Sequence, residues 1–358
     1  MKHIVSMLGV AAIMAAGFPA AAVEEGSTAI RNRTIAYAMT TEEWAMFKTP
    51  GAKTECPNGM NEGPREQFKV QFPEGSPRTV VGTQLAREAD VWFPAAGTDQ
   101  FPFKEVSGKV GLGLNLDGKT GPNDFTSPDG KETGIDNQFY RAIGCIGSYR
   151  DVAALMIVKW RQDKFNRVVI ELTDVDSLSN DDDVTVTTYR GLNALLPDAT
   201  GAGFMPGGTQ KLDLRFGKPF IQKFKGRIKD GVLTTEGADY EMPYMALQNV
   251  STQLFRGLRF QLRLSPDSAE GYMGGYVDIE SWQMQRNESI ATHHQSYGQE
   301  SAGSLYRALL RLADGYPDPK TGKNTAISSA LAVRFTQVFT QHPPRETAED
   351  AGAHRAAR

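Results

Sequence analysis

From Val168 to Gln341 the chain reads as one extended segment after another, and this run restricts the fold more than any other feature. The segments are Val168–Leu172, Val184–Tyr189, Gln210–Phe216, Phe220–Ile228, Val232–Thr235, Leu254–Leu264, Tyr272–Met284 and Ala332–Gln341. Within one of them Leu254, Arg256, Leu258, Phe260, Leu262 and Leu264 fall on alternate positions, the period of a half-buried strand. Asp230-Gly231, between two such runs, is a strong hairpin-turn signal. Antiparallel strands with one apolar face must bury it against another layer, so the expected fold is mainly β, a β-sandwich or jelly roll. One helix interrupts it near 301–314. Ser301 or Ser304 caps it, Leu305, Leu309, Leu310 and Leu312 form its apolar face, and Gly315 with Pro317 stops it.

The β-rich region 161–342 follows a loop-rich portion, residues 23–160, in which helical signals are short. Thr40 or Thr41 can cap a helix through Trp44 and Phe47 that Pro50-Gly51 ends. Residues 79–89 give a weaker helix. Asp136 can cap one containing Phe139, Tyr140 and Ile143 and ending at Gly144, and Asp151 one running to Trp160. Residues 343–358 carry almost no large apolar side chain and are expected to be disordered.

Residues 1–22 have the form of a cleavable secretory signal: Lys2, an apolar stretch from Ile4 to Phe18, Pro19, and Ala20-Ala21-Ala22 before a cut at Val23. At about 15 residues the apolar stretch is short for a bilayer span, and no later stretch reaches 18, so no transmembrane segment is expected. A periplasmic or secreted location follows. Losing Lys2 moves the formal charge from −3 to −4. That near-neutral balance, without a basic stripe, argues against nucleic acid as a partner. The two cysteines, Cys56 and Cys145, are expected to form a structural disulfide in an oxidising compartment.

A 12-residue repeat stands out in the loop-rich portion. Asp117-Gly118-Lys119 is followed by Asp124, and Asp129-Gly130-Lys131 by Asp136. In a calcium loop of the EF-hand type this spacing places a carboxylate at position five, the turn glycine at six and an acid at twelve. Asn115 supplies the third position of the first copy, whereas Gly113 and Phe125 occupy the two first positions. The pattern suggests Asn115, Asp117, Asp124, Asp129 and Asp136 as ligands of a modest calcium site. Asn180-Asp181-Asp182-Asp183 is a second acidic cluster, read as a solvated turn.

Further chemistry-bearing residues lie between 272 and 294. On a continuous strand Tyr272, Tyr276, Asp278, Glu280 and Trp282 would share one side, offering Tyr272, Tyr276 and Trp282 to a small-molecule or glycan ligand. Asp278 and Glu280 would pair as catalytic carboxylates. Tyr276-Val277-Asp278-Ile279-Glu280 resembles the Glu-Ile-Asp-Ile-Glu strand of the family 16 glycoside hydrolases, with Tyr276 where that family carries its nucleophile. The resemblance implies a jelly roll and action on polysaccharides. His293-His294 is the single histidine pair, and His294 is a candidate base.

Two longer pieces, Gly134-Ile135-Asp136-Asn137-Gln138-Phe139-Tyr140-Arg141 with Cys145, and Leu312-Ala313-Asp314-Gly315-Tyr316-Pro317-Asp318 with Thr325-Ala326-Ile327-Ser328, resemble segments of an exported proteobacterial family of no assigned activity. That resemblance implies export and no particular chemistry. With no complete catalytic motif, the reading is an exported binding or accessory protein, calcium-stabilised, and the alternative is a polysaccharide-active enzyme, a glycosidase or lyase.

Overall fold

The computed structural model describes residues 32–61, 73–75, 87–88, 91–92, 103–150, 167–215, 220–246, 249–289 and 302–343. The expected signal segment at 1–22, the expected helix at 151–160, His294, Ser301 and the tail from 344 lie outside them. So does most of the expected helix at 79–89, whose described residues Arg87 and Glu88 are instead a short strand.

The strands, in chain order, are β1 (Arg33–Trp44), β2 (Arg87–Glu88), β3 (Val91–Trp92), β4 (Val168–Val175), β5 (Asp181–Gly191), β6 (Gly208–Asp213) and β7 (Lys223–Lys229). They continue as β8 (Val232–Thr235), β9 (Ala238–Ala246), β10 (Asn249–Leu264), β11 (Ser268–Asp278), β12 (Gly315–Pro317) and β13 (Asn324–Gln341). Strands β2 and β3 pair with each other. Eight of the others close a ring, β1-β4-β5-β7-β8-β10-β11-β13 and back to β1, with every neighbouring pair antiparallel. Strand β9 continues the line of β8 along the long β10.

This closed barrel replaces the expected sandwich or jelly roll. The reason lies in β1, whose sequence reads as a capped helix. Tyr37 and Met39 point inward and are fully buried, while Ala36 and Ala38 point outward and are buried as well. A strand covered on both faces shows no polar alternation, and Thr40-Thr41 mimics a helix cap. Once β1 lies between β13 and β4, neither of those strands is an edge, and the sheet closes on itself.

Side chains fill the interior, including Tyr37, Met39, Phe224, Phe260, Met273, Val333 and Phe335. Phe224 and Phe260 meet edge to face at 5.2 Å. The Tyr37 hydroxyl donates to the carbonyl of Ser265 at 2.7 Å, and burial pushes its pKa up. A bulge between Met39 and Thr41 shifts the register of β1, so that Glu42, opposite Val333, also turns inward and is buried. At the Asp230-Gly231 hairpin both residues have positive φ, 50° and 76°, as a type I′ turn requires. Outside the ring, β6 pairs with the ends of β13 and β5. Leu195 and Leu212 form a second cluster there with Ala36, Ala38 and Val169.

A single 3-10 turn, Pro50–Ala52, and four α-helices complete the described residues: α1 (Gln138–Ile143), α2 (Gly147–Arg150), α3 (Ile279–Ser289) and α4 (Ala302–Leu312). The cap of α1 is Asn137, whose side chain accepts from the amide of Tyr140 at 3.1 Å, one residue later than expected. Helices α1, α3 and α4 gather where β1 and β11 finish and β13 begins. Phe139 of α1 lies 4.2 Å from Trp44 and 5.3 Å from Trp282 of α3, and Leu305 and Leu309 of α4 are fully buried. No described helix is long and apolar enough to cross a membrane.

The disulfide joins Cys56 to Cys145, just past α1, with a Cα–Cα distance of 5.8 Å. Beside it the buried Glu55 accepts from the Thr49 amide and hydroxyl, at 2.8 and 2.5 Å, and pairs with Arg150 of α2 at 2.5 Å. Burial raises its pKa, but these hydrogen bonds outweigh that and leave it below its usual value. Linking residues 89 apart restricts the unfolded chain. Replacing both cysteines with alanine is therefore expected to lower the unfolding free energy by about 2–5 kcal/mol in urea titration. Unchanged unfolding, or two free thiols in protein recovered from an oxidising compartment, would contradict this.

Candidate functional site

The strand period sends Tyr272, Gly274, Tyr276 and Asp278 of β11 to the outside of the barrel. Over Gly274 runs the segment 111–136, strapped to itself by bridges between Leu114 and Asp136 and between Phe125 and Ile135. Leu114 and Leu116 sit on Gly274 so closely that a Cβ there would lie 2.9 Å from Leu114 Cδ1. The strap leaves Tyr272 on one side and Tyr276 on the other.

On the Tyr272 side two hollows share its ring as their wall. One, of about 270 Å³, lies between the strap and the barrel and includes Asp129, Lys131 and Glu132. The other, of about 430 Å³, is a groove across β1, β13, β11, β10 and β8. Strand register arranges its lining in two rows. Glu43, Ala332, Tyr272 and Gln261 stand opposite one another along the first, and Thr41, Arg334, Glu270, Arg263 and Val232 along the second. The small Ala332 between Glu43 and Tyr272 lowers the floor. Arg334 and Glu270 approach to 3.8 Å. Burial, and then the charge of Glu132, push the Tyr272 phenol above its usual pKa.

On the other side, Tyr276 packs edge to face on Tyr316 at 5.4 Å, and Gly315 lies against its ring. Burial first, and then the charges of Asp136, Asp314 and Asp117, raise its pKa. The segments 134–141 and 312–328 meet here. The Gln138 amide donates to Ser328 Oγ at 3.0 Å, and Ser328 donates its hydroxyl and its amide to Asp314 at 2.5 and 2.7 Å.

The remaining sequence candidates are distributed as follows. Strand β11 stops at Asp278, which accepts from the Ser281 amide at 3.0 Å and so caps α3, while its other oxygen pairs with Arg256 at 2.9 Å. Glu280 and Trp282 are therefore helical and do not extend the tyrosine face. Glu280 accepts from the Tyr306 hydroxyl, and Trp282 is buried against Phe139. The two candidate carboxylates thus have different partners, Arg256 for Asp278 and Tyr306 for Glu280.

The repeated Asp-Gly units form two similar turns, with Gly118 and Gly130 at φ 75° and 74°. Asn115 accepts from the Gly118 amide and Asp117 from that of Lys119, while Asp124 accepts from Gly121. Asp129 accepts from the Ser127 hydroxyl at 2.6 Å and from the Lys131 amide at 3.2 Å. Those bonds, that of Ser127 foremost, hold its pKa down at about 2. Asp129 borders the smaller hollow, whereas Asp117 and Asp124 act on Asp136. Among the described residues no three His, Cys, Asp or Glu side chains group closely enough to hold a metal ion.

Asp136 is buried and accepts from the amides of Leu116 and Asp117 at 2.6 and 3.3 Å. Burial outweighs these bonds and, with Asp117 and Asp124 adding repulsion, pushes its pKa up to about 6. The folded chain thus binds this proton more tightly than the unfolded chain, in which the carboxyl keeps its ordinary pKa of about 3.8. The sign follows: protonated Asp136 costs the fold nothing below about pH 4, and the advantage is lost as pH rises through 6. A shift of two units corresponds to about 3 kcal/mol. In the presence of chelator, Asp136→Asn should remove most of a fall in unfolding free energy of that order between pH 4 and 6. An identical pH profile in wild type and variant would contradict it.

The groove residues Thr41, Glu43, Gln261, Arg263, Glu270 and Arg334 are absent from the sequence candidates. Outward parity was legible for Gln261 and Arg263, but which strands lie side by side was not. Compared with known proteins, the chain matches no family model, no curated protein and no solved structure.

Proposed function

We propose that the protein is an exported binding protein that holds an extended polar ligand, an oligosaccharide, in the groove across β13, β11 and β10. The observation that carries this reading is Tyr272: a half-buried ring, forming the shared wall of two hollows, with amide, hydroxyl, carboxylate and guanidinium groups ranked beside it in register. A ring that offers an apolar face amid fixed polar groups suits a sugar, which presents one apolar face and a rim of hydroxyls. The disulfide supports an oxidising compartment outside the cytoplasm.

A polysaccharide-active enzyme has less support. Asp278 and Glu280 are engaged by Arg256 and Tyr306, and the raised carboxyl of Asp136 is turned onto two backbone amides. The calcium part of the proposal rests on the repulsion that Asp117 and Asp124 exert on Asp136, which a cation held near the acidic turns with backbone oxygens would relieve. A melting temperature that rises with millimolar calcium supports that part, and one indifferent to it leaves these residues as turn formers.

The test of the groove is a glycan array followed by calorimetry on the wild type and Tyr272→Ala. Removing an anchoring aromatic from a binding site typically costs about 2 kcal/mol, roughly thirtyfold in affinity. The variant should lose at least that much while melting as the wild type does. A ligand held equally well by both would remove the groove from the account.

A further inference from the structure

The groove carries one charge on each of four successive strands, Glu43, Arg334, Glu270 and Arg263, and their signs alternate. Glu270, in the middle, is engaged by Arg334 at 3.8 Å. Two charges are left without an ion-pair partner among the described residues: Glu43 on β1, half-buried, and Arg263 on β10, exposed. They stand at opposite ends, with β13 and β11 between them. Three inter-strand steps of about 4.8 Å put the strands that carry them roughly 14 Å apart. Between them lie Ala332, Tyr272 and Gln261: a small floor, a ring and an amide.

Resting on the oligosaccharide reading, we infer that this groove selects a zwitterionic glycan, one that carries a free ammonium group for Glu43 and a free carboxylate for Arg263. A lone carboxylate beside a low floor is complementary to an ammonium donor. A guanidinium fork without an acid at ion-pair distance is complementary to a carboxylate, which it can hold through two parallel hydrogen bonds. Because the two ends have opposite sign, a ligand of uniform charge gains at one end and is repelled at the other. A neutral glycan gains at neither.

The experiment is calorimetry of the full chain with four probes: a soluble cell-wall disaccharide–peptide that bears both charges, a glucosamine oligomer, an oligogalacturonate and a cello-oligosaccharide. Each is measured with wild type, Glu43→Gln, Arg263→Gln and Tyr272→Ala, whose melting temperatures are recorded alongside. The doubly charged probe should bind at least about tenfold more tightly than any other. Glu43→Gln should remove the part of that gain due to the ammonium group, and Arg263→Gln the part due to the carboxylate. Raised salt should weaken the doubly charged probe most. If the cello-oligosaccharide binds as well as the rest, or the two charge variants bind as the wild type does while Tyr272→Ala fails, the zwitterion inference is wrong and the groove reading stands. If Tyr272→Ala has no effect on any probe that binds, or if none of the four binds, both fall.

Discussion

The structure depends on one set of hydrogen bonds, those that β1 makes on both of its edges. Along Ala36–Trp44 it pairs with β13, and along Arg33–Ala38 with β4. Without it, β4 and β13 would be the exposed edges of an open sheet, and the apolar face lined by Phe224, Phe260, Met273 and Phe335 would need a second sheet to cover it. With it, the sheet covers its own apolar face. The outer wall is thereby released for other uses, and both candidate features of the molecule are built there.

What stands on that wall follows from local chemistry. Gly274 allows Leu114 and Leu116 to clamp the strap against β11, and the strap divides the tyrosines of one strand face into two environments. The disulfide and the Glu55–Arg150 pair hold the end of α1 to the loop around Cys56, and the Trp44–Phe139–Trp282 stack ties α1 to the barrel. The segment that carries the acidic turns is thus positioned by covalent and apolar contacts, and its carboxylates are free to organise the turns themselves. Buried in that segment, Asp136 is the group whose charge the fold holds at a cost.

Much of this was legible in the sequence where the signal was local. Asp230-Gly231 carries its turn type in its residues, Val232–Thr235 and the alternating stretch of β10 show the strand period, and two lone cysteines point to each other. Two kinds of information were not local. In β1, Ala36 and Ala38 are buried by the distant β6 flap, so the period that would mark a strand is missing. In β11, the sequence alternation runs on beyond Asp278, yet that carboxylate caps a helix and sends Glu280 and Trp282 elsewhere. The groove was illegible for a related reason: Glu43, Tyr272 and Gln261 become neighbours only through register between strands remote in sequence.

Closure by β1 is most directly tested by amide hydrogen exchange resolved residue by residue. If the ring is closed, the amides of Ala36 to Met39 exchange as slowly as those of Phe335 to Val338, because both strands open only with the barrel. Fast exchange along Ala36–Met39, with β13 and β4 still protected, would mean an open sheet and would contradict the account at its base.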